Sequence, residues 1–509
     1  MTNDLYLGSR KTERKQFHDR ARRIASILIN NGINEDDVVA VLLRNDTVYV
    51  EMIEACRHVG AYYVTLNWHA SPAEIMEIVN DSGAKLLVGH SDLTAKLTSH
   101  APCEIPIMAV PTPSEILKEY TVDPTLASDH SDLNELISST NPVETAPLRF
   151  RGMMSYTSGS TGRPKGIRRA LEENKPDTYE TYAGLAEVLV KLSPGARFYT
   201  AAPLYHSAPN ALSTICMATN YTELYISPKF DPETFLADVE RFGITHCYIV
   251  PTMMVRLLKL PKPIREKYDT STLRFGLSTG SAWPRDVKQA MIEWFGPIFY
   301  ETYGASEIGF MTLVSSEESM EKPESVGKVL PGGSIKIIDD ENNELSAGEV
   351  GSIFVYLPMF ADFTYSNTEG DLKGQRHGQH ATVGDIGYLD EDGYLFITDR
   401  KKDMIISGGA NIFPAEIEAA LIKMPEVLDC AIFGAPHPEF GEMIVAAVQC
   451  VPGNNVSLES IKTFLSSRIA SFKIPRKLDI HDKLPREDSG KIFKQRLREP
   501  YWSETGRQV

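Results

Sequence analysis

Residues 156–166 read YTSGSTGRPKG, and no hydrophobic core is built from such a stretch. It packs three glycines, four serine or threonine hydroxyls and Lys165 into one short segment. Glycine lets backbone N–H groups converge on an anion, and hydroxyls add donors. Lys165 adds a mobile positive charge. The composition suits a phosphate cradle, and it also suits a plain surface loop. Two phosphate motifs are excluded. A GxxxxGK[ST] loop needs a hydroxyl after its lysine, whereas Lys165 stands between Pro164 and Gly166. The GxGxxG spacing of dinucleotide-binding turns is absent from the segment. Further chemistry-bearing groups lie in TYGASE at 302–307, GDIGYL at 384–389 and SGK at 489–491.

The elements that must position these groups alternate. Phe17, Ala21, Ile24 and Leu28 recur at helical spacing, and NNG at 30–32 closes the pattern. VVAVLL at 38–43 and AKLLVG at 84–89 are apolar runs fit for buried strands. A second helix is expected near 46–60, ending at Gly60. SPAE at 71–74 is a capping box with proline at the first helical position. This rhythm predicts a parallel sheet wrapped by helices. THCYIV at 245–250 and LRFGLSTG at 273–280 read as further buried strands running into polar turns. Ligands in such sheets sit beyond the carboxyl ends of strands, which directs attention to 278–282 and 302–307. From about residue 325 the pattern predicts short antiparallel strands, then a polar connection at 366–384. The last hundred residues read as a compact mixture of strand and helix.

Composition narrows the function. The chain has 509 residues, which predicts more than one domain. A net charge of −16 argues against nucleic acid as a partner, because phosphate backbones are gripped by basic surfaces. No apolar run is long enough for a membrane span. The first residues lack the apolar stretch of a signal peptide. The six cysteines show neither CxxC pairs nor zinc spacing. Reduced core thiols and a cytoplasmic location are the expectation.

Six segments, in order, resemble the adenylate-forming superfamily, in its branch of AMP-dependent acyl-CoA synthetases. They are YTSGSTGRPKGI at 156–167, PLYH at 203–206, YGASE at 303–307, SVGKVLPGG at 325–333, GDIGYLDEDGYLFITDRKKDMIISGGANIFPAEIE at 384–418 and LPREDSGKIFKQRLR at 484–498. The resemblance implies an α/β fold: a large N-terminal domain, 1–401, of two helix-wrapped mixed sheets plus a small β-barrel, and a small mobile α+β C-terminal domain, 402–509. It implies a ligase that joins a carboxylate to AMP, releases pyrophosphate, and passes the acyl group to coenzyme A. ATP, Mg²⁺ and coenzyme A are the implied cofactor and co-substrates. The first step needs no general base, since a carboxylic acid is already ionised at neutral pH. The demand is positioning and charge neutralisation.

Roles follow from the resemblance, residue by residue. Thr157, Ser158, Gly159, Ser160, Thr161, Gly162 and Lys165 would cradle the β- and γ-phosphates. Glu307 would hold Mg²⁺. Tyr303 would lie along the adenine, with Gly280, Ser281 and Ala282 on its other side. Thr302, Gly304 and Ser306 belong to the same nucleotide motif. Ser306 replaces the usual threonine, and Thr302 stands where an amide or acid is common. Asp385 would accept hydrogen bonds from both ribose hydroxyls, and Arg400 would contact ribose or phosphate. Lys491 would bridge the incoming carboxylate and the α-phosphate, as a flexible ammonium can. His206 would gate the acyl pocket. Lys402 would be the hinge, Gly408 and Gly409 would line the pantetheine tunnel, and Lys473 would sit near the nucleotide of coenzyme A.

Two other readings stay open: loading of an acyl carrier protein, and a non-catalytic nucleotide binder. Amino-acid activation is disfavoured, because 205–213 holds no acidic residue to pair a substrate ammonium. The expected acid is a medium-to-long fatty acid first and an aryl or polycyclic acid second, with Ser207, Ala208 and Ala211 leaving room beside His206. Monomer and homodimer are both admitted.

Overall fold

A computed structural model describes residues 3–123, 130–158, 164–169, 177–280, 283–360, 362–366, 375–408, 410–486 and 492–503. The chain divides into two compact units. The first comprises Met1–Ser158, Pro164–Pro323 and Leu357–Asp371; the second includes Glu324–Tyr356 and Leu372–Val509. The hinge expected at Lys402 therefore lies inside the second unit.

The first unit is built on two mixed sheets. In the eight-stranded sheet, Val38–Leu42 lies between Tyr62–Thr65 and Ala84–His90, all parallel, with Ile107–Val110 next. Val38–Leu42 is buried along its whole length, as an apolar run between two helical layers should be. The helices obey their sequence signals. Arg14–Asn30 buries Phe17, Ala21, Ile24 and Leu28. Thr47–Val59 starts at Asp46, whose side chain accepts from the Thr47 N–H, and ends at Gly60 with φ 72°. The capping box of Ser71 and Glu74 forms as read. In the seven-stranded sheet, Arg197–Thr200, His246–Tyr248, Phe275–Ser278 and Phe299–Glu301 run parallel.

Asn45 ties the two sheets together from a buried position. Its amide donates to Ala202 O and Ser227 O, both at 3.0 Å, and its oxygen accepts from Leu204 N at 2.9 Å. Every polar atom of the side chain is thus satisfied, which burial requires.

The second unit holds a six-stranded antiparallel sheet, in which Asp385–Leu389 pairs with Leu395–Arg400. It also holds a five-stranded sheet around the hairpin Val427–His437 and Gly441–Cys450. Pro414–Leu421 and Leu458–Ser466 pack on the latter through Ile417, Leu421, Ile461 and Leu465. Among the described residues no helix is long and apolar enough to cross a membrane. All six cysteines are free, and Cys56, Cys216, Cys247 and Cys430 are buried.

Candidate active site

The strands on either side of the glycine-rich segment 159–163 pair with each other as a hairpin. Met153–Ser158 and Pro164–Arg169 run antiparallel, with Tyr156 opposite Gly166 and Thr157 opposite Lys165. Met153–Ser158 is parallel to Tyr62–Thr65, so the hairpin projects from the carboxyl edge of the eight-stranded sheet. Gly159, Ser160, Thr161 and Gly162 lie outside the described residues, as do the side chains of Thr157 and Ser158.

The base of this hairpin is tied down by a compact knot. Tyr156 Oη donates to Asp81 Oδ2 at 2.6 Å, and Ser366 Oγ donates to the same oxygen at 2.9 Å. Ser366 Oγ also accepts from Gly166 N at 3.2 Å, and Ser366 N donates to Gly166 O at 2.7 Å. Burial, and next the Asp81 carboxylate, push the Tyr156 phenol up, so it remains a donor. Gly166 has no room for a side chain: a Cβ would fall 2.6 Å from Ser366 Oγ and 2.7 Å from Tyr156 Cζ. Phe363–Tyr365 adds a third strand along Pro164–Arg169. It brings the Tyr365 ring to 5.4 Å from Lys165 Nζ. A cation over an aromatic face is attracted by the ring quadrupole.

Tyr303, Ser306 and Glu307 follow the strand Phe299–Glu301 of the other sheet. Tyr303 is buried, and its N–H donates to Thr312 Oγ1 at 3.1 Å. Thr302 is buried as well, and its hydroxyl donates to Thr312 O at 2.6 Å. Gly304 packs so closely that a Cβ would lie 2.2 Å from Gly309 O. The buried Glu307 carboxylate receives a long contact of 3.5 Å from Tyr365 Oη. Ser306 Oγ donates to Ser207 Oγ at 3.0 Å, and Arg169 Nη2 donates to Ser306 O at 2.9 Å. The hairpin, Phe363–Tyr365 and the 303–307 turn are thereby joined.

His206 caps the helix Ser207–Ala218 and packs against Tyr205 at a ring distance of 4.3 Å. Gly280 has φ 90°, a value that favours glycine, just after the strand Phe275–Ser278. Ser281 and Ala282 lie outside the described residues.

In the second unit Asp385 and Arg400 are cross-strand partners. Arg400 Nε is 3.3 Å from Asp385 Oδ1, and Asp385 is only 5% exposed. The chain then turns at Lys402, whose carbonyl accepts from Arg498 Nη1 at 3.1 Å. Gly408 adopts φ 58° and donates its N–H to Phe440 O at 2.8 Å. Lys473 pairs with Glu416. Gly409 and Lys491 lie outside the described residues.

Residues flanking 487–491 are anchored on both sides. Arg486 grips Asp429 with two bonds of 2.6 Å. Lys494 Nζ reaches Glu418 Oε1 at 2.8 Å. Arg486 and Ile492 bridge each other in antiparallel fashion.

Sequence reasoning did not single out Asp81, Arg169, Ser366, Arg486 or Lys494. The Asp81 contacts span 75 and 285 positions, so nothing local announces them.

The chain is similar to known proteins over nearly its whole length. The family described as AMP-binding enzyme matches residues 6–361, and AMP-binding enzyme C-terminal domain matches residues 416–491. A feruloyl-CoA synthase of Amycolatopsis sp. is 31% identical over 482 residues, covering 94% of this chain and 92% of that protein. An o-succinylbenzoate coenzyme A synthetase from Bacillus subtilis, solved in complex with its acyl-adenylate intermediate, superposes with a TM-score of 0.81 at 26% identity. The match covers 97% of this chain and 94% of that one. The same enzyme in complex with ATP and magnesium ion gives a TM-score of 0.80 at 26% identity, over 97% and 96% of the chains.

Proposed function

Because the chain belongs to the AMP-binding enzyme family, as an AMP-forming acid–CoA ligase, we propose that it activates a hydrophobic carboxylate with ATP and transfers the acyl group to coenzyme A. The observation that supports the nucleotide site is the pinned strand pair Met153–Ser158 and Pro164–Arg169, which carries Lys165 and flanks the glycine-rich segment 159–163. Backbone N–H groups there would bind the β- and γ-phosphates. Lys165 would neutralise them. Asp385 would accept from the ribose hydroxyls, with Arg400 fixing its orientation.

The donor set around Glu307 fits magnesium. That ion takes one or two carboxylates and completes its shell with phosphate oxygens and water. One buried carboxylate with hydroxyl neighbours meets this need. When bound, the ion would neutralise charge on the phosphates. Lys491 would complete the charge balance between the incoming carboxylate and the α-phosphate. We place the functional division at 402, with 402–509 moving between adenylation and thiol transfer.

The names of the relatives bear on the acid. Feruloyl and succinylbenzoyl groups both carry a ring, so ring-bearing acids rank ahead of fatty acids. The test is a pyrophosphate-release screen of the purified protein with ATP, Mg²⁺ and a panel of aryl, polycyclic and C8–C16 acids, followed by mass detection of the acyl-CoA. Thioester formation only with carrier protein as acceptor would replace the CoA reading. No release with any acid would return the chain to a nucleotide binder.

A further inference from the structure

The helix Pro414–Leu421 does not cap itself. Phe413 stands at its N-cap and makes no side-chain cap bond, and Pro414 at the first helical position has no N–H. The first donor of the helix is the Ala415 N–H, which donates to Asp399 Oδ2 at 2.9 Å. The other oxygen, Asp399 Oδ1, accepts from Arg400 N at 2.7 Å. A carboxylate suits the positive end of a helix. Here it is supplied by a different element of the chain.

The two ends of this bond lie on opposite sides of Lys402. Asp399 belongs to the strand Leu395–Arg400, where it pairs with Ile386 while Arg400 pairs with Asp385. Lys401 N still donates to Gly384 O at 2.7 Å, so the chain is tied to the six-stranded sheet up to that point. It then turns, with Arg400 O accepting from Asp403 N at 2.9 Å and from Met404 N at 3.1 Å. Ala415 instead opens a helix whose Ile417 and Leu421 pack on the five-stranded sheet. Lys494 Nζ pairs with Glu418 of that same helix at 2.8 Å. Burial raises the Asp399 carboxyl, and the Lys494 ammonium acts against it. Asp399 thus meets both a backbone donor and a charge from beyond Lys402.

We propose that Asp399 is a positioning residue: as the cap of Pro414–Leu421 it holds 402–509 in one arrangement against the strand Leu395–Arg400, and it has to release when that segment turns. The proposal rests on the reading of Lys402 as the hinge. In such a turn Asp399 stays with its sheet, whereas Ala415 travels with its helix. At about 3.6 Å no hydrogen bond remains, so less than about 1 Å of travel breaks this one. The helix then has an uncapped first turn, a cost that falls on every arrangement except the capped one. The bond therefore weights one half-reaction against the other. A cap shifts that balance about fivefold, the equivalent of about 1 kcal/mol.

The test compares Asp399→Ala with Asp399→Asn in the full-length protein. Asparagine is as good a cap as aspartate and can aim its one oxygen at Ala415, giving up the local bond to Arg400 N; alanine cannot cap. Hydrogen exchange at the amides of 415–417 should speed up about fivefold in Asp399→Ala. The half-reactions are then measured apart: pyrophosphate release with the best acid of the panel, and acyl transfer from the preformed acyl-adenylate to coenzyme A. Asp399→Ala should change the ratio of the two rates about fivefold, slowing one and not the other, and Asp399→Asn should return most of both effects. An equal fall in both half-reactions would make Asp399 a plain structural cap and overturn the proposal, as would exchange that alanine leaves unchanged. Failure of the underlying reading looks different. A wild type that releases no pyrophosphate, or a Lys402→Pro variant with the wild-type ratio, removes the ligase or the hinge, and the proposal with it.

Discussion

Asp385 and Arg400 face each other across two antiparallel strands, with Arg400 Nε 3.3 Å from Asp385 Oδ1. The pair fixes the plane of the Asp385 carboxylate. A carboxylate so held can take two vicinal hydroxyls, because each oxygen accepts on its own side.

Asp385→Asn should lower kcat/KM for ATP by about ten- to a hundredfold, the worth of one charge-assisted hydrogen bond. It should also shrink the preference for ATP over 2′-deoxy-ATP. If the variant discriminates between the two nucleotides as well as the wild type does, Asp385 is not the ribose ligand.

Lys165→Ala should cost one to two decades in ATP affinity, from the loss of a charged contact worth about 1.5–3 kcal/mol. AMP, which lacks the phosphates concerned, should bind nearly as before. Parallel titrations with ATP and AMP decide it: an equal fall for both nucleotides would make the hairpin connection a structural loop.

Gly166→Ala places a methyl 2.6 Å from Ser366 Oγ and 2.7 Å from Tyr156 Cζ. Overpacking of this kind costs about 1–3 kcal/mol. Urea unfolding should show that loss, and ATP KM should rise because the hairpin base is displaced. Unchanged stability would mean that the Asp81 knot yields freely.

His246 sets a pH limit. It is 1% exposed, with Nε2 3.1 Å from Lys191 O, and burial lowers its pKa to about 4. The unfolded chain, with an ordinary value of 6.5, binds the proton more readily between these values. Stability should therefore fall as pH drops from about 6.5 to 4, by up to about 3 kcal/mol. His246→Gln should flatten that slope. Asp238, raised by burial to about 6, works in the opposite sense, so the difference between wild type and variant is the quantity to measure. Identical slopes would remove His246 as the cause.

Arg486→Ala should slow adenylation about ten- to a hundredfold with ATP KM changed less than about twofold, because misplacing a catalytic group by about 1 Å costs up to a hundredfold. Arg486→Lys should recover only part of the loss, since it cannot make both bonds to Asp429. A rise in KM with kcat intact would assign Arg486 to binding instead.

Local signals were legible in the sequence where the cause is local. The spacing of Phe17, Ala21, Ile24 and Leu28 gives a helix because one face must be buried, and Ser71 with Glu74 caps a helix within four residues. Composition marked the glycine connection as a candidate phosphate cradle, and suited a plain surface loop as well. Its support was not legible. Asp81, Tyr156, Gly166 and Ser366 meet only after the sheet has formed, and none of the four is unusual where it stands. The pairing of Phe363–Tyr365 with Pro164–Arg169 was equally hidden, since three residues of strand before a polar connection look like any short turn. Glu51 offers a third case. In sequence it is one more helical acid, and only the structure shows it buried, with Oε1 held by Arg20 at 2.9 Å.

The late arrival of Phe363–Tyr365 has a consequence in time. Gly166 and Ser366 are 200 positions apart. A ribosome adding about 5–20 residues per second needs roughly 10–40 s to make the stretch between them. Throughout that interval the nascent hairpin has an open edge and an unpinned base, and unpaired edges recruit other chains. Synthesis rate across 170–366 thus becomes a handle on the yield of correctly folded protein, and slow codons there lengthen the exposure without altering a single residue.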